Sequence, residues 1–242
     1  MSTIAQLVRD RIDKLDPGAV FDYDTLKLSA SEVGSVAQSL SRLRSEGVIE
    51  RLEKGKYYKP KKSAYGRIRP SENEIIQLFT RKNNKWIGYL TGLLVYNKLG
   101  LTTQVSNTLV IATPNPKEPK ELDGYKIRFV KSNADIREQD IPLLQLLDAF
   151  QDISSIPDSS PDESLKVLRR KINALNDAEK KRLPRLVKDY RPRTRALLGA
   201  FLECFFDGIA TTDLKKNLNK LSTFELGVSE KALPNKSSWN IK

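Results

Sequence analysis

Residues 35–60, SVAQSLSRLRSEGVIERLEKGKYYKP, constrain the fold of this chain more than any other stretch. Val36, Leu40, Leu43 and Gly47 fall on one side of a helix, because residues three and four apart share a face. Gln38, Ser41, Arg42 and Ser45 cluster on the opposite side, with Ser35 at its edge. Gly47 supplies a C-terminal stop. Residues 48–52 and 56–59 then read as strands joined by a tight turn through Glu53, Lys54 and Gly55. Pro60 ends the second strand, since proline has no N–H to give to a ladder. A helix that is apolar behind and short and polar in front, followed at once by a basic hairpin, has the order of a helix-turn-helix recognition helix and its β-wing.

That order suits double-stranded DNA. The major groove admits one α-helix, and its base edges favour particular side chains. Ser35, Ser41 and Ser45 are short enough to let the helix approach, Gln38 matches an adenine edge, and Arg42 can fork onto guanine. On the wing, Arg51, Lys54 and Lys56 suit phosphates, with the minor groove as an alternative for Lys54. Phosphate contacts position a protein without selecting sequence. The charge is distributed accordingly. The chain carries a net +12, and residues 31–69 hold ten cations against four anions, whereas residues 1–30 hold four against five. Excess positive charge favours an anionic partner. Two other readings stay open here: a winged helix that binds only proteins, and a Tyr57–Tyr58 platform on which single strands stack.

Ahead of this helix, Ile4, Leu7, Val8, Ile12 and Leu15 recur at helical spacing, and Asp16-Pro17-Gly18 ends that first helix. Residues 19–21 read as a short strand and 22–28 as a short second helix, so the recognition helix, starting near residues 31–35, is the third. Residues 61–70 read as a cationic linker. Beyond it, Ser71 and Glu74 form a capping-box pattern. Residues 89–99 read as a helix closed by Gly100, 107–112 and 125–130 as strands, and 143–153 as a helix. Turn formers at 154–161 precede an all-helical stretch. Ser160/Glu163 and Asn176/Glu179 repeat the capping pattern, residues 196–206 are apolar nearly all round, and Leu214, Leu218 and Leu221 suggest one more helix. The tail from Ser222 is either partly disordered or docked through Phe224 and Trp239. The expectation is an α+β chain: an N-terminal winged helix-turn-helix over 1–62, a small α+β middle domain over 63–155, and a C-terminal all-helical domain with its tail over 156–242.

Several chemistries are disfavoured. The chain has no histidine and one cysteine, which removes the usual catalytic triad, histidine-containing zinc sites and intramolecular disulfides. Cys204, in an apolar run, reads as a small buried hydrophobe. A nucleic-acid-processing enzyme is the lesser alternative, with Asp135, Glu138 and Asp140 as carboxylates that could hold magnesium, but their spacing fits no strong metal motif. No cofactor and no enzymatic activity are expected. The first thirteen residues carry charges throughout and lack the apolar core of a signal peptide, and no apolar run is long enough to span a bilayer. The expected location is the cytoplasm, with no membrane partner. A second basic cluster, Arg169, Arg170 and Lys171 with Arg191, Arg193 and Arg195, reads either as solvated helix faces or as a patch for an acidic protein or nucleic acid.

At Leu40-Ser41-Arg42-Leu43, Glu46-Gly47-Val48-Ile49-Glu50-Arg51-Leu52 and Lys54-Gly55-Lys56-Tyr57-Tyr58 the chain resembles the N-terminal domain of AbiEi-type antitoxins. Gly88-Tyr89-Leu90-Thr91-Gly92 and Leu99-Gly100-Leu101-Thr102-Thr103-Gln104-Val105 look like the domain that follows it in such proteins. Residues 193–200, RTRALLGA, resemble a related bacterial group with the same winged helix. The resemblance covers roughly residues 1–150 at motif level and extends more loosely to about 205. It implies the antitoxin of a bacterial type IV toxin–antitoxin or abortive-infection system. In that family the winged helix represses its own operon at inverted repeats, and the following domain counters a nucleotidyltransferase-like toxin. Carried over, the DNA role falls on residues 35–45 and on the wing, residues 51–56. The helical extension after Pro161 departs from the shorter antitoxin plan.

Overall fold

The computed structural model describes residues 3–26, 33–63, 66–83 and 85–242. They form a mixed α+β chain. Contacts divide it into two units, residues 1–89 with 118–127 and residues 90–117 with 128–242. This division does not follow the boundaries at 62 and 155 read from composition. No helix among the described residues is long and apolar enough to cross a membrane.

Unit 1 begins with α1 (Ile4–Asp13), whose first turn is capped by the Thr3 hydroxyl accepting from the Gln6 N–H at 3.3 Å. Strand β1 (Val20–Asp22) follows, then a turn in which the Asp22 carboxylate accepts from the backbone and hydroxyl of Thr25. The expected short second helix falls partly on that turn and partly on residues 27–32, which lie outside the described residues. Helix α2 (Val33–Ser45) is followed by Gly47 at φ +69°, a left-handed conformation that glycine adopts without strain. Strands β2 (Glu50–Glu53) and β3 (Lys56–Tyr58) form the expected hairpin, turned at Gly55 with φ +78°. The three strands assemble in the order β1-β3-β2, antiparallel, with Phe21 opposite Tyr57 and Arg51 opposite Tyr57 on the other side.

One core closes this part. Val8 and Ile12 of α1 meet Val36, Leu40 and Leu43 of α2, with Phe21, Leu26, Ile49 and Tyr57 beneath them. Phe21 and Tyr57 stack with centroids 6.0 Å apart. Burying nine such side chains, at about 1.5–3 kcal/mol each, far exceeds what helix propensity supplies, so the apolar stripe of α2 fixes which face looks outward.

The stretch expected to be a linker is a hairpin. Strands β4 (Lys61–Ser63) and β5 (Gly66–Ile68) pair antiparallel with Lys61 opposite Ile68. β4 is Lys-Lys-Ser and β5 is Gly-Arg-Ile, so no hydrophobic alternation marks them. Helix α3 (Glu72–Thr80) starts at the expected capping box of Ser71 and Glu74. A two-residue hairpin of β6 (Arg81–Lys82) and β7 (Lys85–Trp86) follows, with the Arg81 guanidinium 4.2 Å from the Trp86 ring. Further on, β10 (Lys120–Leu122) pairs with the start of β11 (Tyr125–Lys131) through Asp123-Gly124. Both turn residues have positive φ, the signature of the tight hairpin turn whose twist matches its strands.

Strand β8 (Tyr89–Thr91) crosses the division between the units and corrects the sequence reading, which placed a helix over residues 89–99. Gly92 is the reason. It sits at φ +76° and ψ −157°, and a Cβ there would come within 3.0 Å of Val110. The chain therefore runs extended to Gly92 and turns helical only as α4 (Leu93–Leu99), closed by Gly100 in the left-handed region. Within unit 2, β9 (Thr108–Thr113) has β8 on one side and the C-terminal end of β11 on the other. Helices α5 (Ile141–Gln151), α6 (Pro161–Asn173) and α7 (Asp177–Leu186) follow, the last two opening on the expected capping boxes. Helix α8 (Pro192–Phe205) is buried from Ala196 to Leu202 and packs on α5, where Phe150 and Phe201 meet edge to face at 5.1 Å. Short α9 (Thr212–Lys216) leads to the tail, which is docked: Phe224 bridges Ile241, and Trp239 is 1% exposed.

Candidate nucleic-acid interface

Helix α2 separates its two faces sharply. Val36, Leu40 and Leu43 are 1%, 0% and 4% exposed, whereas Ser35, Gln38, Ser41, Arg42 and Ser45 are all exposed. The Ser45 hydroxyl donates to the Arg42 carbonyl at 2.8 Å, and Ser39 donates to the Ser35 carbonyl at 2.8 Å. Glu46 lies just past the helix and forms an ion pair with Arg9 of α1. Among the described residues no carboxylate stands at ion-pair distance from Arg42. An open depression of about 600 Å³ runs between α1 and α2, lined by Gln6, Arg9, Ser35, Gln38, Arg42 and Glu46. Arg44, counted in the charge of this region but not among the expected contact residues, is also exposed and adds to this charge.

The hairpin divides its cations differently from the expectation. Arg51 and Lys54 are exposed, with Arg51 Nε donating to the Glu53 carbonyl at 3.3 Å. Lys56 is half-buried instead. Its Nζ lies 2.6 Å from Glu53 and 4.5 Å from the centre of the Phe79 ring. Lys120 approaches the same pair, 2.9 Å from Glu53 and 4.5 Å from Phe79. Burial pushes the Glu53 carboxyl up, but hydrogen bonds and charge from Lys56 and Lys120 outweigh it and hold the group below its ordinary range. Two ammonium groups and a carboxylate thus lock together over one ring. No local pattern announces this, because Lys120 is 67 positions from Glu53.

Tyr57 and Tyr58 are 8% and 5% exposed, so neither ring is a free stacking platform. The Tyr58 hydroxyl donates to Glu50, and burial together with that carboxylate pushes its pKa up to about 12.

The second basic cluster splits. Arg169, Arg170, Lys171 and Arg191 are exposed. Arg193 and Arg195 are half-buried, and Arg193 donates to the Gln151 carbonyl at 3.2 Å. Asp140 is 5% exposed and pairs with Arg182 at 3.3 Å. The described residues contain no group of three or more His, Cys, Asp or Glu side chains arranged to hold a metal ion.

One polar site was not legible in the sequence. Asp148 of α5 is buried, and the hydroxyls of Thr91 and Tyr190 donate to its two oxygens at 2.6 and 2.8 Å. Beside it, the Tyr96 hydroxyl donates to Asp152 at 2.8 Å. Burial, then the Asp152 and Asp148 charges, drive the Tyr96 pKa far above its ordinary value. These partners tie β8, α4 and the segment before α8 to α5, the arrangement of a structural network in which each acceptor is satisfied.

Residues 7–136 match the model of a family of unknown function (DUF6088), which is more than half of the chain, and the chain belongs to that family. Among curated proteins none matches its sequence significantly. The solved structure of the RV2827C protein from Mycobacterium tuberculosis is similar in fold, with a TM-score of 0.51 over 91% of this chain and 83% of that one, at 13% sequence identity.

Proposed function

We propose that this member of the DUF6088 family is a double-stranded-DNA-binding autoregulator, in which α1, α2 and the β2–β3 hairpin work as a winged helix-turn-helix. One observation carries the reading: every polar position that the groove code would use on α2 is exposed, while the stripe behind it is sealed in the core. The pairing of Glu46 with Arg9 supports it by engaging the acid four positions after Arg42 with a cation of α1. Arg42 and Gln38 then read base edges. Arg44, Arg51 and Lys54 hold phosphates, while Lys56 shapes the wing through Glu53 and Phe79.

The biological setting we propose is that of an antitoxin repressing its own operon and countering a nucleotidyltransferase-like toxin in the bacterial cytoplasm. That setting rests on the motif resemblance at residues 40–58, 88–92 and 99–105. A gel shift with the DNA upstream of the reading frame tests the DNA role. Retarded complexes that weaken steeply with salt support it, because released counterions drive such binding. Absence of any shift at low salt, with a protein captured through the same helix, replaces it with a protein-only winged helix.

A further inference from the structure

Unit 2 carries a basic trough that the DNA reading does not use. Its floor is Phe205, Phe206 and Ile209, at the end of α8 and just after it. One rim is α6, through Lys166, Arg169 and Arg170. The other is α7 and the turn after it, through Lys181, Arg185 and Lys188. Three depressions of about 660, 350 and 390 Å³ adjoin along this line, lined by seven cations, Lys180 among them, against three acids, Asp177, Asp207 and Asp213, so the trough stays net positive. The first two share both phenylalanines, and the last two share Lys181, Gly208 and Ile209.

The floor is incompletely covered, since all three apolar side chains are only half-buried. The Arg169 guanidinium lies 4.2 Å from the centre of the Phe205 ring, and Lys180 Nζ lies 5.9 Å from that of Phe206. Such cation–ring contacts hold charged heads over the apolar surface. A structural explanation covers part of the pattern: Arg170 and Lys171 close the last turn of α6, where the helix dipole favours cations. It does not cover Lys180 and Lys181, which lie in the middle of α7, short of the last turn where the dipole would favour them. Among the described residues no carboxylate is at ion-pair distance from Arg169, Arg170, Lys181, Arg185 or Lys188.

We propose that this trough binds an acidic amphipathic segment of a partner protein, with apolar side chains on the phenylalanine floor and carboxylates against the two rims. The arrangement favours a peptide over a nucleic acid. A single strand holds to such a groove by stacking its bases on open aromatic ring faces. Here Arg169 and Lys180 sit over the ring faces of Phe205 and Phe206, where a base would have to stack, whereas aliphatic side chains need only the remaining apolar surface of the half-buried rings and Ile209. The inference is independent of the DNA role of α2.

The test uses the full chain and a synthetic peptide of about 15 residues, with Leu and Phe at helical i, i+3, i+4 spacing and Glu elsewhere. Its Glu→Gln version and an oligothymidylate of the same length are the comparisons. Saturable binding of the acidic peptide is expected, with amide shifts confined to residues 166–173, 180–188 and 205–209. Binding falls about tenfold or more for the Gln peptide and for Arg169→Glu/Arg185→Glu, since like charges now face each other. The milder Lys166→Gln/Lys181→Gln pair gives a smaller loss and serves if the reversal alters the melting temperature. No saturable binding, equal binding of the Gln peptide, or tighter oligothymidylate binding at the same residues overturns the proposal.

Discussion

The six-membered ring of Trp239 lies against the bare Cα of Gly199, so the tail closes over α8 at a point where that helix has no side chain. The indole N–H of Trp239 donates to Glu203 one turn further along the same helix. Gly199 is helical, with nothing unusual in its φ, and its role is close approach. A Cβ at this position would overlap the ring. Gly199→Ala therefore destabilises unit 2 by about 1–3 kcal/mol, the usual cost of overpacking, despite the better helix propensity of alanine. Gly34→Ala is the control. No described atom lies within 4 Å of a Cβ there, and the change stabilises by up to about 0.5–1 kcal/mol. Urea midpoints of the two variants check both signs.

Asp148 accepts from two buried hydroxyls, those of Thr91 and Tyr190, the latter also 3.4 Å from the Leu144 carbonyl. Replacing it with alanine leaves the Thr91 hydroxyl and the Tyr190 hydroxyl without their carboxylate acceptor inside the protein. A buried hydroxyl left without an acceptor costs roughly 1–3 kcal/mol. Asp148→Ala is expected to lower thermal stability sharply, and Asp148→Ala with Thr91→Val to lose less than the sum of the single changes. A double-mutant cycle by calorimetry reads this coupling.

Arg42, Lys54 and Lys56 are expected to behave in three distinct ways. Arg42→Ala costs about 1–3 kcal/mol on the specific site and relaxes its sequence preference. Lys54→Ala weakens all duplexes alike and reduces the salt slope by about one. Lys56→Ala leaves that slope unchanged and lowers stability instead, because Lys56 is engaged with Glu53 and Phe79. Binding isotherms over a salt series, set beside melting curves, separate the three.

Glu53 makes stability depend on pH. Its folded pKa lies below the ordinary value of 4.5, so its contribution is complete above that value and is lost as pH falls from there through the folded value. The wild-type chain and Glu53→Gln should differ in urea midpoint at neutral pH and converge once the pH has fallen below the folded value. Wild type must be the more stable of the two above the transition.

What could be read from the sequence was local. The three capping boxes at Ser71, Ser160 and Asn176 each need only a four-residue pattern, and all three are where the pattern puts them. The β2–β3 hairpin follows from the turn at Gly55 and the stop at Pro60. The failures came where a distant contact decides. Gly92 breaks an apparently helical run because Val110 presses on it. The β4–β5 hairpin hides in a cationic stretch. In the candidate interface, the exposed row on α2 follows from helical periodicity, but the capture of Lys56 depends on Phe79 and Lys120, which no spacing rule connects to it.

The most direct test is the affinity of the purified chain for a duplex from its own promoter, measured from low to moderate salt for wild type and Arg42→Ala. The account predicts a linear fall of log K with log salt, with a slope of about −0.9 for each phosphate neutralised, and a wild-type preference for the promoter that Arg42→Ala loses. Equal affinity of both proteins for promoter and unrelated duplex, or no binding at low salt, would contradict it.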